Sequence, residues 1–330
     1  MNPAWYSAQL FLLAGFAFLA VGAVGAAVLV GLLRGRLLRW EPRARHRAVL
    51  LLAALPVLTA LVLLVTVSLP SVAALLAPGL DHCTAHHDGH AHLCFTHLPG
   101  APVHTAVALS LALLVGYAFL RASLALVRVA RALRVVGALA RVGEERAELG
   151  CTIVESPQPV CVAAGFLQPR VLISRGLLDS LGNEERAVVL AHERAHVRRR
   201  DALAAAAVRA LSVVHLPGVG RWLTSELDVA AEQACDDEAA AVADRLAVAA
   251  TILRVERAVW QSSAVGLELV GSAFGARAVE RRVEALMAEP SAPTSLRALT
   301  GSLGVALVAV VLHADDLHHL TEFLLSAVAH

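Results

Sequence analysis

The residue types best suited to chemistry lie in one short segment, His192-Glu-Arg-Ala-His196. On a helix, residues four apart occupy one face, so His192 and His196 can bind the same divalent metal ion. Glu193, beside the first histidine, would then reach a water molecule at that metal. Catalytic zinc sites combine such ligands with an open position, so the spacing predicts a zinc (Zn²⁺) centre with Glu193 as general base. A solvated helix that carries the pattern by coincidence is the alternative.

A third ligand is expected on another element, because catalytic zinc sites need three protein ligands. Glu232 and Asp236 lie four residues apart in an alanine-rich segment and share a face if that segment is helical. One carboxylate would bind the metal, and the other would accept the free N–H of a ligand histidine. Four neighbouring acidic residues are expected to form a solvated helix face: Glu226, Asp228, Asp237 and Glu238.

These segments resemble the BlaR/MecR-type antirepressor membrane metallopeptidases. Three motifs carry the resemblance: His192 to His196, Arg199-Arg200-Asp201 and Glu232 to Asp236. It implies a zinc endopeptidase of the gluzincin type, with zinc held by His192, His196 and Glu232. Asp236 would orient a ligand histidine, and Glu193 would be the catalytic base. It also implies a bacterial inner (cytoplasmic) membrane location and cleavage of a cytoplasmic winged-helix repressor of the BlaI/MecI type, with self-cleavage as a further expectation.

The sequence departs from that family in the part that would sense the external signal. Family members that sense β-lactams carry a penicillin-binding domain with a Ser-x-x-Lys nucleophile after the last span. The present sequence ends at His330 and contains no lysine. We therefore expect a transducing protease that responds to a different input.

The composition places much of the chain in a lipid bilayer. Hydrophobic residues make up 58% of the sequence and the mean hydropathy is +0.67, which is atypical of a soluble domain. Four apolar runs are predicted to be transmembrane helices: residues 10–33, 48–80, 103–120 and 298–314. Pro70 is expected to end the second span, because proline disrupts helices.

The distribution of arginine predicts the orientation. All 28 basic residues are arginine, and they lie in residues 34–47 and 121–297. By the positive-inside rule these segments are cytoplasmic, so both termini and residues 70–102 lie outside. The net charge of +1 gives no reason to expect direct contact with nucleic acid. The predicted domains are residues 1–127 with three spans, 128–297 with the cytoplasmic peptidase, and 298–330 with the fourth span and a short outer tail.

The peptidase domain is predicted to be an α+β zincin-like fold. β-branched residues after Cys151 and Cys161 favour short strands, and the turn from Gly165 to Pro169 favours a hairpin. An edge strand near the metal would bind extended substrate by strand addition. The two cysteines are expected to remain free thiols in a reducing compartment.

Two other segments of the cytoplasmic part allow narrower expectations. Within residues 121–150, Arg128, Arg131, Arg134 and Arg141 lie among Val, Leu and Ala and predict a basic amphipathic helix that follows the third span along the membrane surface. His215 is either a structural histidine, the interpretation we favour, or a group that stabilises the tetrahedral intermediate. Tyr6 and Tyr117, the only tyrosines, fall at or in the predicted spans, so no oxyanion donor is assigned.

The predicted outer loop, residues 70–102, is unusually rich in histidine and cysteine. These residues are His82, Cys83, His86, His87, His90, His92, Cys94 and His97. Such tracts often bind metal ions, so the loop is a candidate metal site. A disulfide between Cys83 and Cys94 is the plainer alternative, and both can hold. If the loop is the working site, the chain is instead a non-proteolytic metal-sensing or metal-handling membrane protein.

Overall fold

The computed structural model describes residues 3–77, 93, 103–165, 168–262, 272–289 and 297–329. The histidine- and cysteine-rich tract, apart from Leu93, lies outside these residues. The expectations for a metal site or a disulfide in that tract therefore stay predictions.

Three long helices form the apolar part of the molecule: α1 (Pro3–Leu37), α2 (Pro42–Leu76) and α3 (Thr105–Val142). Each contains a stretch long and apolar enough to cross a bilayer, as the first three predicted spans require. Large apolar side chains on these helices face outward, including Leu32, Leu113 and Phe119. Such surface is stable in lipid rather than in water, so the chain is a membrane protein.

The prediction that Pro70 ends the second span is wrong. α2 continues through both Pro56 and Pro70 to Leu76. Each proline removes one backbone hydrogen bond, a loss that neighbouring helices can offset in a membrane helix. At Pro56 the neighbour is α1, where a Cβ atom added to Gly22 would lie 2.7 Å from the Pro56 Cα atom. Glycine at position 22 therefore permits the close approach of α1 and α2.

The end of the chain differs from the predicted single span and short tail. Two helices, α10 (Arg297–Leu312) and α11 (Ala314–Ala329), meet at a bend of 71°. Only together do they meet the length and hydropathy expected of one span. α11 packs against α2, where His318 is fully buried and donates a 2.6 Å hydrogen bond from Nδ1 to the Val67 carbonyl oxygen. Residues 314–329 thus form a helix that packs against α2, and the predicted fourth span stays a prediction.

α3 is one continuous helix to Val142, well beyond the predicted third span. The basic segment expected to lie along the membrane surface is the second half of this same helix. Its described arginine side chains Arg131, Arg134 and Arg141 are exposed. Because α3 is unbroken, its basic half continues in the same direction as the predicted third span.

A four-stranded sheet follows α3, with the strands in the order β1-β2-β4-β3. The strands are β1 (Glu144–Arg146), β2 (Cys151–Val154), β3 (Cys161–Ala164) and β4 (Arg170–Ser174). β3 and β4 are antiparallel neighbours, which confirms the predicted hairpin, and β2 runs parallel to β4. Gly165 takes a φ of 107° in the connecting turn, where a side chain would be strained. β3 is left as an edge strand.

Helices complete the peptidase part and share a core with the membrane helices. They are α4 (Arg175–Ser180), α5 (Asn183–Arg199), α6 (Asp201–Leu211), α7 (Pro217–Ala239), α8 (Arg245–Ser262) and α9 (Ser272–Met287). Ile153 and Ile173 of the sheet pack against α4 and α5. Leu52 of α2 packs in one cluster with Val208 of α6 and Leu223 of α7. The first membrane helices are therefore fixed directly to the helices that surround the candidate site.

Candidate metal centre

α5 is built as a regular helix across the two histidines. The Gly182 backbone N–H donates to the Glu185 carboxylate at 2.8 Å, which satisfies a free donor at the helix start. Acidic residues in the first turn also suit the helix dipole. The described helix has no break, so His192 and His196 lie one turn apart on one face, as their spacing predicts.

The third predicted ligand meets these histidines from α7. The two Nε2 atoms of His192 and His196 are 3.1 Å apart, and each lies 3.4 Å from a carboxylate oxygen of Glu232. Ligand atoms at about 2.0–2.1 Å from a tetrahedral zinc ion lie roughly 3.3 Å from one another. The three side chains therefore lie close enough together to hold one metal ion, and they form a candidate metal group.

Each histidine is oriented by its own carboxylate. His192 donates from Nδ1 to Asp236 at 2.9 Å, and His196 donates from Nδ1 to Asp201 at 2.8 Å. These bonds fix the tautomer that leaves both Nε2 atoms available to a metal. Asp236 lies where the sequence placed it. The sequence analysis assigned no role to the second orienting carboxylate, Asp201, which appeared there only as the last residue of the Arg-Arg-Asp motif.

A left-handed residue brings Asp201 back to the histidine. Arg200 has a φ of 55° and separates α5 from α6, which begins at Asp201. Its backbone N–H caps the carbonyl end of α5 by bonding to His196 and Val197. This conformation is uncommon for a residue with a side chain, and such strain is characteristic of functional sites. Here it reverses the chain so that Asp201 faces His196.

Arg282 on α9 is a site residue that the sequence did not single out. Its guanidinium lies 2.9 Å from Glu232 and donates to both Asp236 oxygens at 2.8 and 2.7 Å. The side chain is only 11% exposed. Arg282 therefore compensates the negative charge of the two α7 carboxylates. Arg282 is one of several arginines on its helix, and no sequence pattern distinguishes it from the others.

The histidines, Glu232 and Arg282 shift one another's pKa values because they lie so close together. Burial lowers the pKa of His192, but hydrogen bonds to Asp236 and Glu232 outweigh it and raise that pKa above its usual value. The pKa of His196 is likewise raised, against burial, by its bonds to Asp201, Cys235 and Glu232. Burial would raise the pKa of Glu232, yet the two histidines and Arg282 hold it well below its usual value. The carboxylates are therefore charged and ready to bind a cation.

A cleft of about 600 Å³ opens onto this group. Edge strand β3 forms one wall through Cys161, Val162 and Ala163, and α8 contributes apolar side chains such as Ile252. Glu193 also lines the cleft. The predicted base, the three predicted ligands and an edge strand thus face one space. Cys151 and Cys161 are free thiols, as expected.

Glu226 and His215, two residues for which the sequence analysis made predictions, are both buried. The proposal of a solvated acidic face is wrong for Glu226, which is buried and pairs with Arg45 of α2 at 3.0 Å and with Arg281 of α9. His215 is buried as well and donates from Nε2 to the Ala53 carbonyl oxygen of α2 at 3.0 Å. It does not line the cleft. These contacts support the structural interpretation of His215.

The arrangement can be compared with known proteins. The family profile described as BlaR1 peptidase M56 matches residues 16–286, which include most of α1, all of α2 and α3, and every residue of the candidate metal centre. No curated protein and no solved structure matches the chain significantly. Since the matched segment covers most of the sequence, the chain belongs to the BlaR1 peptidase M56 family of membrane metallopeptidases.

Proposed function

We propose that this chain is an integral-membrane zinc endopeptidase, a gluzincin that cleaves a cytoplasmic protein in response to an external input. The observation that carries the proposal is the convergence of His192, His196 and Glu232: the two Nε2 atoms are 3.1 Å apart, and each lies 3.4 Å from a different carboxylate oxygen of Glu232. Two imidazoles and one carboxylate are the ligand set of catalytic zinc in gluzincin-type peptidases.

Zinc bound to these ligands would supply a Lewis acid and lower the pKa of water at the site toward about 7. Glu193, which lines the same cleft next to His192, would accept the proton of the attacking water. The same carboxyl group would then deliver that proton to the leaving amine. Asp236 and Asp201 hold the histidines so that their Nε2 atoms face the cleft.

The substrate is proposed to bind in extended form along β3. An edge strand offers unpaired backbone groups, and a peptide can satisfy them by adding one more strand. Val162 on this strand is 42% exposed. Apolar residues of α5 and α8, among them Val188, Val248 and Val255, line the cleft beside it. This lining favours an apolar substrate side chain near the cleaved bond.

The family suggests a substrate class, and the arginine distribution suggests the compartment. We propose that the peptidase part is cytoplasmic, in a bacterial inner membrane, and that it cuts a winged-helix repressor of the BlaI/MecI type, with self-cleavage as a second outcome. The sequence does not identify the repressor, and we expect no direct contact between this chain and nucleic acid.

The test uses the full-length protein in lipid nanodiscs with candidate repressors. Wild-type protein should carry about one zinc ion and cleave a substrate, and a chelator should stop cleavage until zinc is restored. Glu193→Gln should keep the zinc and lose cleavage, because it removes the base and spares the ligands. Zinc binding without any Glu193-dependent cleavage would contradict the peptidase. Cleavage of other proteins but of no repressor would favour a quality-control protease.

A further inference from the structure

α2 carries two adjacent buried polar side chains at the end nearest the peptidase part. Arg45 and His46 are 4% and 6% exposed, although the rest of α2 is almost entirely apolar. Charged and polar groups are costly to bury unless they are paired, so their partners define what this end of the helix does.

Arg45 fixes α2 to the helix that carries two of the site carboxylates. Its Nε atom pairs with Glu226 at 3.0 Å, and Nη2 donates to the Gln233 side chain, both on α7. Gln233 in turn donates to the Arg281 carbonyl oxygen of α9 at 2.7 Å. Gln233 is next to the proposed ligand Glu232. The position of α2 is therefore set against the two helices that supply Glu232, Asp236 and Arg282.

His46 faces the other orienting carboxylate. Its Nε2 atom lies 3.5 Å from Oδ1 of Asp201, and both atoms are buried. Within the described part of the chain neither atom has a hydrogen-bond partner. The other oxygen of Asp201, by contrast, accepts bonds from His196 at 2.8 Å and Arg199 at 3.2 Å. The unused oxygen thus faces a buried donor on α2, the Nε2 atom of His46.

The gap between the two atoms is small. N–H···O hydrogen bonds are usually about 2.9–3.0 Å long, so a movement of roughly half an ångström would form the bond. A bond formed there would engage both oxygens of Asp201 and hold the carboxylate in the position that orients His196. Because Asp201 is already held through its other oxygen by His196 and Arg199, the bond to His46 would add a second restraint, and a shift of α2 in the opposite direction would remove it.

We propose that His46 is a positioning residue that couples the placement of α2 to the metal centre through Asp201 and His196. The inference rests on the proposed function, which makes His196 a zinc ligand. α2 is a single helix whose far end, at Leu76, leads directly into the histidine- and cysteine-rich tract. A displacement of that helix would therefore reach a zinc ligand through two side chains.

The test measures zinc affinity and cleavage with full-length protein in nanodiscs. His46→Phe keeps the ring shape and removes the donor, and we expect about tenfold weaker zinc binding, in the range known for residues that orient metal ligands. His46→Gln places a donor near the position of Nε2 and should restore most of the affinity. His46→Asn is too short and should not. Arg47→Gln, an exposed neighbour on the same helix, should bind zinc like the wild type.

A double-mutant cycle separates this route from a general packing effect. Because His46 acts through Asp201, adding His46→Phe to Asp201→Ala should weaken zinc binding no further than Asp201→Ala alone. Additive losses, or equal zinc affinity in the Phe, Gln and Asn variants, would overturn the coupling while leaving the peptidase intact. Failure of the wild type to bind zinc would overturn the proposed function and the coupling with it. If the Phe variant does not fold, the Gln and Asn pair decides.

Discussion

His196 donates a 2.8 Å hydrogen bond from Nδ1 to Asp201, five residues later in the chain and beyond the end of its own helix. His192 makes the equivalent 2.9 Å bond to Asp236, which comes from α7. The two proposed zinc ligands are therefore oriented from different directions, one by a local chain reversal and one by a distant helix. Each carboxylate should contribute separately to the metal centre.

The first prediction concerns these carboxylates. Asp201→Asn and Asp236→Asn should each weaken zinc binding by about 10- to 100-fold, because an amide orients and polarises imidazole less well than a carboxylate. Competition with a chelator measures the affinity. Asp228→Asn is the control, since Asp228 is half exposed and pairs with Arg209. Equal affinity in all three variants would show that neither Asp201 nor Asp236 supports the ligands.

The second prediction concerns pH. The raised pKa values of His192 and His196 mean that both imidazoles hold protons over a wider pH range than free histidine does. Zinc binding requires neutral imidazole and must release those protons, so zinc affinity should rise with pH. The folding stability of the metal-free protein should change with pH in the opposite direction, falling as pH rises. Its charged histidines stabilise the fold below the unfolded value of 6.5, and this stability is lost as pH rises through the raised pKa values.

Calorimetry in two buffers of different ionisation heat would count the released protons, and thermal unfolding with and without zinc would give the stability. Zinc binding that is independent of pH from 5 to about 8 would contradict protonated ligands in the metal-free state.

The third prediction concerns Arg282. Replacing it with Met removes one of the buried positive charges that neutralise Glu232 and Asp236, so the metal-free protein should lose about 3 kcal/mol of unfolding free energy. Zinc should recover part of that loss, because the ion places positive charge beside Glu232. Arg254→Met is the control: its pair with Glu185 is largely exposed and should contribute about 1 kcal/mol or less. Similar losses in both variants, measured by denaturant unfolding, would show that Arg282 has no special role.

Spacing predicts which residues of the site share a face, and the family resemblance predicts which of Glu232 and Asp236 is the ligand. Residues four apart on a helix share a face, so His192 with His196 and Glu232 with Asp236 were assigned before any tertiary contact was known. The hairpin was also predictable, because Gly165 and Pro169 mark its turn. Contacts between distant segments were not. Asp201, Arg282 and His46 reach the site through a left-handed turn, a separate helix and a membrane helix, and no local pattern encodes those approaches.

Helix ends in the membrane were the weakest part of the sequence prediction. Pro70 is predicted to stop α2, since proline breaks helices in water, but α2 continues through it to Leu76. Glu226 was expected on a solvated face because acidic residues are usually exposed. Its burial depends on Arg45 and Arg281, which approach from other helices. The burial of Glu226 was therefore decided by partners distant in sequence.

The fourth prediction concerns topology. Reporter fusions at residues 140 and 260 should lie in the cytoplasm, and fusions at residues 88 and 325 should lie outside, as the positive-inside rule requires. The fusion at residue 325 decides the bent pair α10 and α11. Activity of an outside reporter there would make the pair one broken span. Activity of a cytoplasmic reporter would make it a re-entrant element and would remove the predicted fourth span.

The last prediction concerns the input. Six histidines of the predicted outer loop are replaced with Gln: His82, His86, His87, His90, His92 and His97. Neutral imidazole favours copper or zinc, with copper(II) the tighter by the usual affinity order, and binding should weaken below about pH 6 as the rings take up protons. Cys83 and Cys94 are kept, so that a disulfide between them would be unaffected.

If this loop receives the signal, metal-stimulated, Glu193-dependent cleavage should disappear in the six-histidine variant while its basal cleavage and zinc content stay unchanged. A ligand can shift an equilibrium only by binding its two states differently, so metal must also bind more tightly to the active state. Loss of metal handling in this variant but not in Glu193→Gln would favour the non-proteolytic alternative. Stimulation that survives the replacements, or never occurs in the wild type, would show that the signal enters elsewhere.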